Sequence, residues 1–177
     1  MHETKVDQQV AIPDGAIFHA VSAKKYLLLS VTSFGLYELY WMYKNWKYEC
    51  KAFGRHVSPF WRTVFGVIYV YPLLGEIRWL GSEKLKFDRP LSAGILATVW
   101  ILFNFAGRLP DPWFWISIFR PFVLLPVLTY INQLNTERGR AQAIDGRFTI
   151  SNWVIMIVGG ILTLLAIVNT FNPSLFK

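Results

Sequence analysis

Residues 31–48 read VTSFGLYELYWMYKNWKY, and this stretch decides which kind of fold the chain can adopt. Nearly half of its residues from position 34 onward are aromatic, and they surround one acid and precede two lysines: Phe34, Tyr37, Tyr40, Trp41, Tyr43, Trp46, Tyr48, then Glu38, then Lys44 and Lys47. Trp and Tyr combine an apolar body with a polar tip, which suits the headgroup zone of a bilayer. The stretch therefore predicts a helix that seeks a membrane interface.

The composition of the chain agrees with a membrane location. Of 177 residues, 54% are hydrophobic and only 16% are charged, and the mean hydropathy is +0.34. A soluble domain carries roughly 25% charged residues. The net charge of +7 would suggest nucleic acid in a soluble protein, but here the basic residues lie between apolar runs. We therefore expect membrane lipids with anionic headgroups as partners, and no nucleic acid.

Five apolar segments organise the chain, at about residues 26–46, 59–75, 90–107, 112–131 and 148–176. Segments that enter lipid must be helical, because an unpaired backbone group there costs several kcal/mol. We expect an all-α fold, a small polytopic integral membrane bundle in which three to five segments span. Residues 1–22 are expected to form a polar N-terminal tail, 23–172 a single membrane-helix domain, and 173–177 a short C-terminal tail.

The first two segments leave the topology open. Their uncharged runs, Tyr26–Tyr37 and Thr63–Gly75, are shorter than the roughly 20 residues of a spanning helix. If all five segments span with the N-terminus inside, the inside holds ten Lys and Arg against six outside. If the second segment lies in the interface, the count is about twelve against five, and if both early segments are re-entrant or interfacial, it is fifteen against two. All three models place the loops at 76–89 and 132–151 inside and the C-terminus outside.

Three charged residues are candidates for an intramembrane polar site. Arg120, in FRPF, lies eight residues after Pro112 in an apolar segment, where a bare guanidinium costs at least roughly 2.5–3.5 kcal/mol. It must therefore face an acid, a water pocket or the interface. Glu38 is the obvious acid, and Arg62 or Arg120 are its candidate partners. An anion site or proton relay is one interpretation, and a structural ion pair is the other.

A basic helix face follows the aromatic stretch. Lys44, Lys47, Lys51 and Arg55 recur at helical spacing, and Trp41 and Trp46 lie nearby. This pattern predicts an interfacial helix that binds anionic headgroups, and ordinary snorkelling of the lysines is the simpler alternative.

The sequence gives no sign of catalysis or of a cofactor. Cys50 is the only cysteine, so the chain cannot form an internal disulfide, and the three histidines are scattered. HExxH, GxSxG and P-loop motifs are absent from it. We therefore expect no metal, no cofactor and no enzymatic activity.

Three motifs resemble an uncharacterised family of small bacterial inner-membrane proteins. The first, approximately TFGxYxxYWxY, is matched between Thr32 and Tyr43 with Ser33 inserted. The second, PFxRxxF, is matched by Pro59–Phe65, and the third by Phe148, Thr149, Asn152, Trp153 and Gly159, with Asp145 in place of an Asn. The resemblance covers most of residues 25–165 and implies a bacterial inner-membrane location, but no activity.

Two functions are compatible with these features. The first is a non-enzymatic accessory or lipid-interacting membrane protein, and the second is a transporter or channel component with a polar site around Arg120 and Glu38. A lipid-modifying enzyme is a weaker third hypothesis. The small size of the chain is compatible with a homo-oligomer.

Overall fold

The computed structural model of the protein describes residues 18–110 and 112–171, and these residues form an all-α structure without a sheet. A single isolated bridge joins Val21 and Asp145. The α-helices are α1 (Ala23–Thr32), α2 (Leu36–Phe53), α3 (Pro59–Val64), α4 (Gly66–Trp79), α5 (Ala93–Ala106), α6 (Arg120–Val123), α7 (Leu125–Glu137) and α8 (Ile150–Phe171). A π-helical turn follows α4 (Leu80–Lys84), and 3₁₀ helices occupy Trp113–Phe119 and Ala141–Ala143.

The first apolar segment folds back on itself to form a helical hairpin, here called the first hairpin (α1, residues 33–35, α2). Phe34 and Gly35 adopt positive φ angles of 50° and 87°, which reverses the chain direction. The Tyr26 and Trp41 rings then lie 6.1 Å apart, and the His19 amide donates to Asn45. The two helices are therefore antiparallel, and the turn at Phe34–Gly35 is the tip of the hairpin.

The second apolar segment forms a shorter hairpin (the second hairpin: α3, Phe65, α4). Pro59 occupies the first turn of α3, where its missing N–H is not needed, and the helix breaks at Phe65. Helix α4 then runs parallel to α2, because Tyr69 contacts Trp46 and Trp79 contacts Phe53. Both hairpins consequently begin and end at the same end of the bundle.

Three longer elements complete the bundle. Helix α5 runs antiparallel to α4, and residues 113–137 run back as a broken helical rod that carries Tyr130 to Phe87 and Gly81. Helix α8 follows α1, with Gly159 against Thr32. We call the end that contains residues 18–22, 54–58, 80–92 and 138–149 the near face, and the end that contains residues 107–110 the far face.

The core is built from aromatic and branched side chains that the hairpins bring together. Its largest fully buried members include Trp41, Trp46, Trp100 and Tyr26. Phe18, Ala20 and Val21 are also buried, so residues 18–22 pack into the bundle and do not belong to a polar tail as predicted. The remainder of the predicted N-terminal tail, residues 1–17, and the C-terminal tail lie outside the described residues.

Among the described residues, two helical stretches are long and apolar enough to cross a membrane. They are Trp113–Glu137, with a mean hydropathy of 1.7, and Ile150–Phe171, with 2.4; Ala93–Ala106 is apolar but shorter. Only 6% of the α8 window is buried within the protein, against 33% for Trp113–Glu137. The predicted all-α class is thus confirmed, and the first two apolar segments are hairpins rather than single helices.

Candidate functional site

An ion pair between Glu38 and Arg120 lies at the tip of the first hairpin. Glu38, one turn after Gly35, is fully buried, and the Nε atom of Arg120 lies 3.1 Å from its Oε2 atom. The Trp100 indole N–H also donates to Oε2, at 2.7 Å. Of the two partners predicted for Glu38, Arg62 and Arg120, it is therefore Arg120 that forms the ion pair.

The remaining donors of Arg120 are also used. One terminal nitrogen donates to the side-chain oxygen of Asn104 at 3.0 Å, and the other donates to the backbone oxygen of Phe34 at 3.3 Å. The same nitrogen leaves no room for a β-carbon at Gly35, which would lie 1.5 Å from it. Glycine is thus required at position 35 for two reasons: its φ is positive, and the Arg120 guanidinium occupies the space that a β-carbon would need.

A small cavity adjoins this ion pair. It has a volume of about 20 Å³ and is lined by residues of α1, the hairpin tip and the Arg120 region. That volume accommodates about one water molecule. The arrangement satisfies two opposite charges in an apolar interior, and the cavity is too small for an organic solute.

Arg62 belongs to a separate cluster between the two hairpins. Its guanidinium lies 3.5 Å from the buried carboxylate of Glu49 and 4.3 Å from the Trp46 ring. Arg55 also contacts Glu49 and bridges to Glu76 at 3.0 Å. Glu49 was not predicted as a site residue, although an acid in a run of aromatic and basic residues is a usable signal.

The predicted headgroup-binding residues divide into two groups. Lys47 and Lys51 are exposed and Lys44 is half-buried, and the ammonium groups of Lys44 and Lys47 lie 5.4 Å and 5.7 Å from the Tyr40 and Tyr43 rings. Arg55 is engaged by Glu49 and Glu76. The basic face that remains free of ion pairs among residues 18–110 and 112–171 therefore consists of Lys44, Lys47 and Lys51.

Trp41 and Trp46 do not face headgroups. Their side chains are 0% and 1% exposed, because the face of α2 that carries them packs against α1 and α4. The prediction that they bind headgroups is therefore wrong. Aromatic content alone does not distinguish an interfacial ring from a core ring, and only the hairpin fold assigns these two to the core.

A further charged contact anchors α1 to the segment before α8. Lys25 is 2% exposed, and its ammonium donates to both carboxylate oxygens of Asp145 at 2.8 Å and to the Arg147 backbone oxygen at 2.7 Å. The sequence pattern did not predict this contact, although Asp145 is an acid in an otherwise basic loop.

The described residues contain no group of three or more His, Cys, Asp and Glu that could hold a metal ion. Comparison with known proteins does not extend the assignment, because no family model, curated protein or solved structure matches the chain. The resemblance to a bacterial inner-membrane family accordingly stays a prediction.

Proposed function

We propose that the protein is a non-enzymatic integral membrane protein that inserts two helical hairpins into the cytoplasmic leaflet and binds its anionic headgroups. The observation that carries this proposal is that both hairpins begin and end at the near face, where the basic residues are concentrated. The proposal has four components: a membrane location, the depth of the hairpins in the bilayer, the orientation of the protein and the contacts with lipid headgroups.

The strongest argument for a membrane is helix α8. It is 22 residues long, about 33 Å at 1.5 Å per residue, and this matches a hydrocarbon core of roughly 30 Å. An apolar core helix of a soluble protein would be buried, whereas only 6% of this helix window is. Lipid is the environment that best covers such a surface.

The packing of α8 against the first hairpin indicates how deep the hairpin reaches. Gly159 lies against Thr32, next to the hairpin tip, and is nine residues after Ile150. This corresponds to about 14 Å along the helix axis, close to half the hydrocarbon thickness. The first hairpin is therefore re-entrant, and the second, whose α3 has only six residues, is shallower.

The distribution of charge favours a cytoplasmic near face. Of the Lys and Arg residues that the structure describes, all but Arg108 and Arg120 lie at the near face or in the half of the bundle beside it. Lys and Arg are retained in cytoplasmic loops. The arrangement corresponds to the third topological model, in which both early segments are re-entrant and the C-terminus is outside.

Headgroup binding is assigned to Lys44, Lys47 and Lys51. These lysines lie on a hairpin that occupies one leaflet, and they have no carboxylate partner among the described residues. Each Lys near an anionic surface contributes about 1 kcal/mol. A polar pathway for transport, the second hypothesis, gains no support from a cavity of about 20 Å³ beside Arg120.

Native mass spectrometry of the detergent-purified protein tests this function and reports the oligomeric state at the same time. We expect phosphatidylglycerol to bind more tightly than phosphatidylcholine, and the triple variant Lys44→Gln/Lys47→Gln/Lys51→Gln to lose much of that preference. Arg108→Gln on the far face is the control. Equal binding of the two lipids by the unmodified protein would contradict the proposal.

A further inference from the structure

A groove on the outer surface of the bundle lies between the 85–92 segment and α7. It has a volume of about 520 Å³, within the roughly 300–1,000 Å³ range of ligand sites. Its lining includes Arg89, Phe122, Pro126, Thr129 and Gln133. The headgroup contacts of the proposed function involve none of these residues.

The groove is amphipathic along its length. Arg89 lies at the near face and Gln133 lies on α7 about one turn before it, whereas Phe122 lies eleven residues before Gln133, about 16 Å deeper along the helical rod. Thr129 and Pro126 fall between them. The lining thus changes from charged and polar to apolar in the direction of the bilayer interior.

The 85–92 segment, which forms the wall opposite α7, is held in place by contacts with α7, Arg138 and Gly81. The Phe87 ring packs edge-on against Tyr130 at 5.0 Å, and Arg138 donates to the backbone oxygen of Leu85 at 2.5 Å. The Phe87 amide also donates to Gly81 at 2.8 Å. The groove is therefore part of the folded structure and does not need a ligand to form.

Arg89 is the charged group at the mouth of the groove. Its side chain is exposed, and in the described part of the chain its guanidinium has no salt-bridge partner. Asp88 precedes it and Glu137 ends α7, but neither carboxylate is within 4 Å of it. An unpaired guanidinium can bind a phosphate group through two parallel hydrogen bonds.

We infer that this groove is a binding site for one anionic phospholipid, with the phosphate on Arg89 and an acyl chain along Thr129, Pro126 and Phe122. This inference rests on the proposed function, because it requires the near face to lie at a lipid headgroup surface. It differs from the headgroup contacts of Lys44, Lys47 and Lys51, since it assigns a discrete site to a single lipid molecule.

The test measures tight binding of dioleoyl phosphatidylglycerol to the full-length protein by native mass spectrometry in mild detergent. We expect Arg89→Gln to weaken the tightest binding event by about tenfold, as the loss of a bidentate phosphate contact implies. Arg147→Gln makes the same change of charge at another exposed position of the near face and should leave that event within about twofold of its original affinity, well short of a tenfold step. Equal binding by these two variants would overturn the inference.

Two further arms identify the ligand. Thr129→Trp fills the groove without a change of charge and should also remove the tight event, whereas retention of this event in a folded Thr129→Trp protein would contradict an acyl chain in the groove. Glycerol phosphate, which carries the headgroup chemistry without acyl chains, should not compete, and full displacement by it would replace the lipid with a soluble phosphate ligand.

The failure of this site can be distinguished from the failure of the proposed function. If Arg89→Gln matches its control while the triple lysine variant still loses its preference for phosphatidylglycerol, the groove is rejected and the proposed function stands. If the unmodified protein does not prefer phosphatidylglycerol, both are rejected.

Discussion

Glu38 and Arg120, which are 82 residues apart in sequence, form an ion pair that fixes the tip of the first hairpin to the helical rod at residues 113–137. Glu38 is fully buried and also accepts a hydrogen bond from the Trp100 indole, and Arg120 donates one to the Asn104 side-chain oxygen. The ion pair joins the first hairpin, α5 and the longest apolar stretch at one point.

We expect either Glu38→Gln or Arg120→Gln to destabilise the protein by about 3–5 kcal/mol, because each leaves an uncompensated charge in an apolar interior. The double variant Glu38→Gln/Arg120→Gln should be more stable than Arg120→Gln alone. Thermal unfolding in detergent measures both effects. Additive losses in the double variant would show that the two side chains do not interact.

Gly159 and Gly160 offer a matched test of the contact between α8 and the first hairpin. A β-carbon at Gly159 would lie 2.1 Å from the backbone oxygen of Thr32, whereas at Gly160 nothing lies within 4 Å. Gly159→Ala should destabilise the protein by about 1–3 kcal/mol, because the helices must move apart. Gly160→Ala should be neutral or stabilising by up to about 1 kcal/mol, because a mid-helix glycine is unfavourable.

The same measurement, thermal unfolding in detergent, checks both glycine variants. If Gly159→Ala and Gly160→Ala behaved alike, α8 would not pack closely on the hairpin tip. The depth assigned to the tip would then lose its support.

The buried contact of Lys25 predicts that the loss of its ammonium group makes the segment before α8 more susceptible to proteolysis. Lys25→Met removes the ammonium that holds Asp145 and the Arg147 backbone, so the segment before α8 should open more often. Limited trypsin digestion should then cleave after Arg140 and Arg147 several-fold faster. Lys24→Met, at the exposed neighbouring position, is the control and should leave the cleavage rate unchanged.

His19 predicts a dependence of stability on pH. Burial is the main cause that lowers the pKa of His19 from 6.5 to about 4, and the nearby Lys44 charge adds to it. The unfolded chain therefore binds a proton that the folded protein does not, and stability falls as the pH drops from about 6.5 to 4, by roughly 3 kcal/mol for the full shift. His19→Leu should flatten this part of the unfolding profile, whereas His56→Leu should not.

The sequence predicted the all-α class because the apolar segments leave no other way to satisfy the backbone in lipid. It also indicated Glu38 and Arg120, since each is a lone charge in an apolar run. It left open whether the first two segments turn back, and it did not locate the reversals at Phe34–Gly35 and Phe65, because Gly35 alone is a weak turn signal and Phe65 is not a turn residue. The burial of Trp41, Trp46 and Glu49 follows from those reversals and was therefore beyond the sequence pattern.

The proposed return of both hairpins to the cytoplasmic face can be tested by the position of the loop between them. In a Cys50→Ser background, His56→Cys places a thiol at an exposed site of this loop, and Leu109→Cys places one at the far face. With a membrane-impermeant maleimide, we predict that Leu109→Cys is labelled in intact cells and His56→Cys only after permeabilisation. Labelling of both thiols in intact cells would show that the first segment spans the membrane and would contradict the proposed topology.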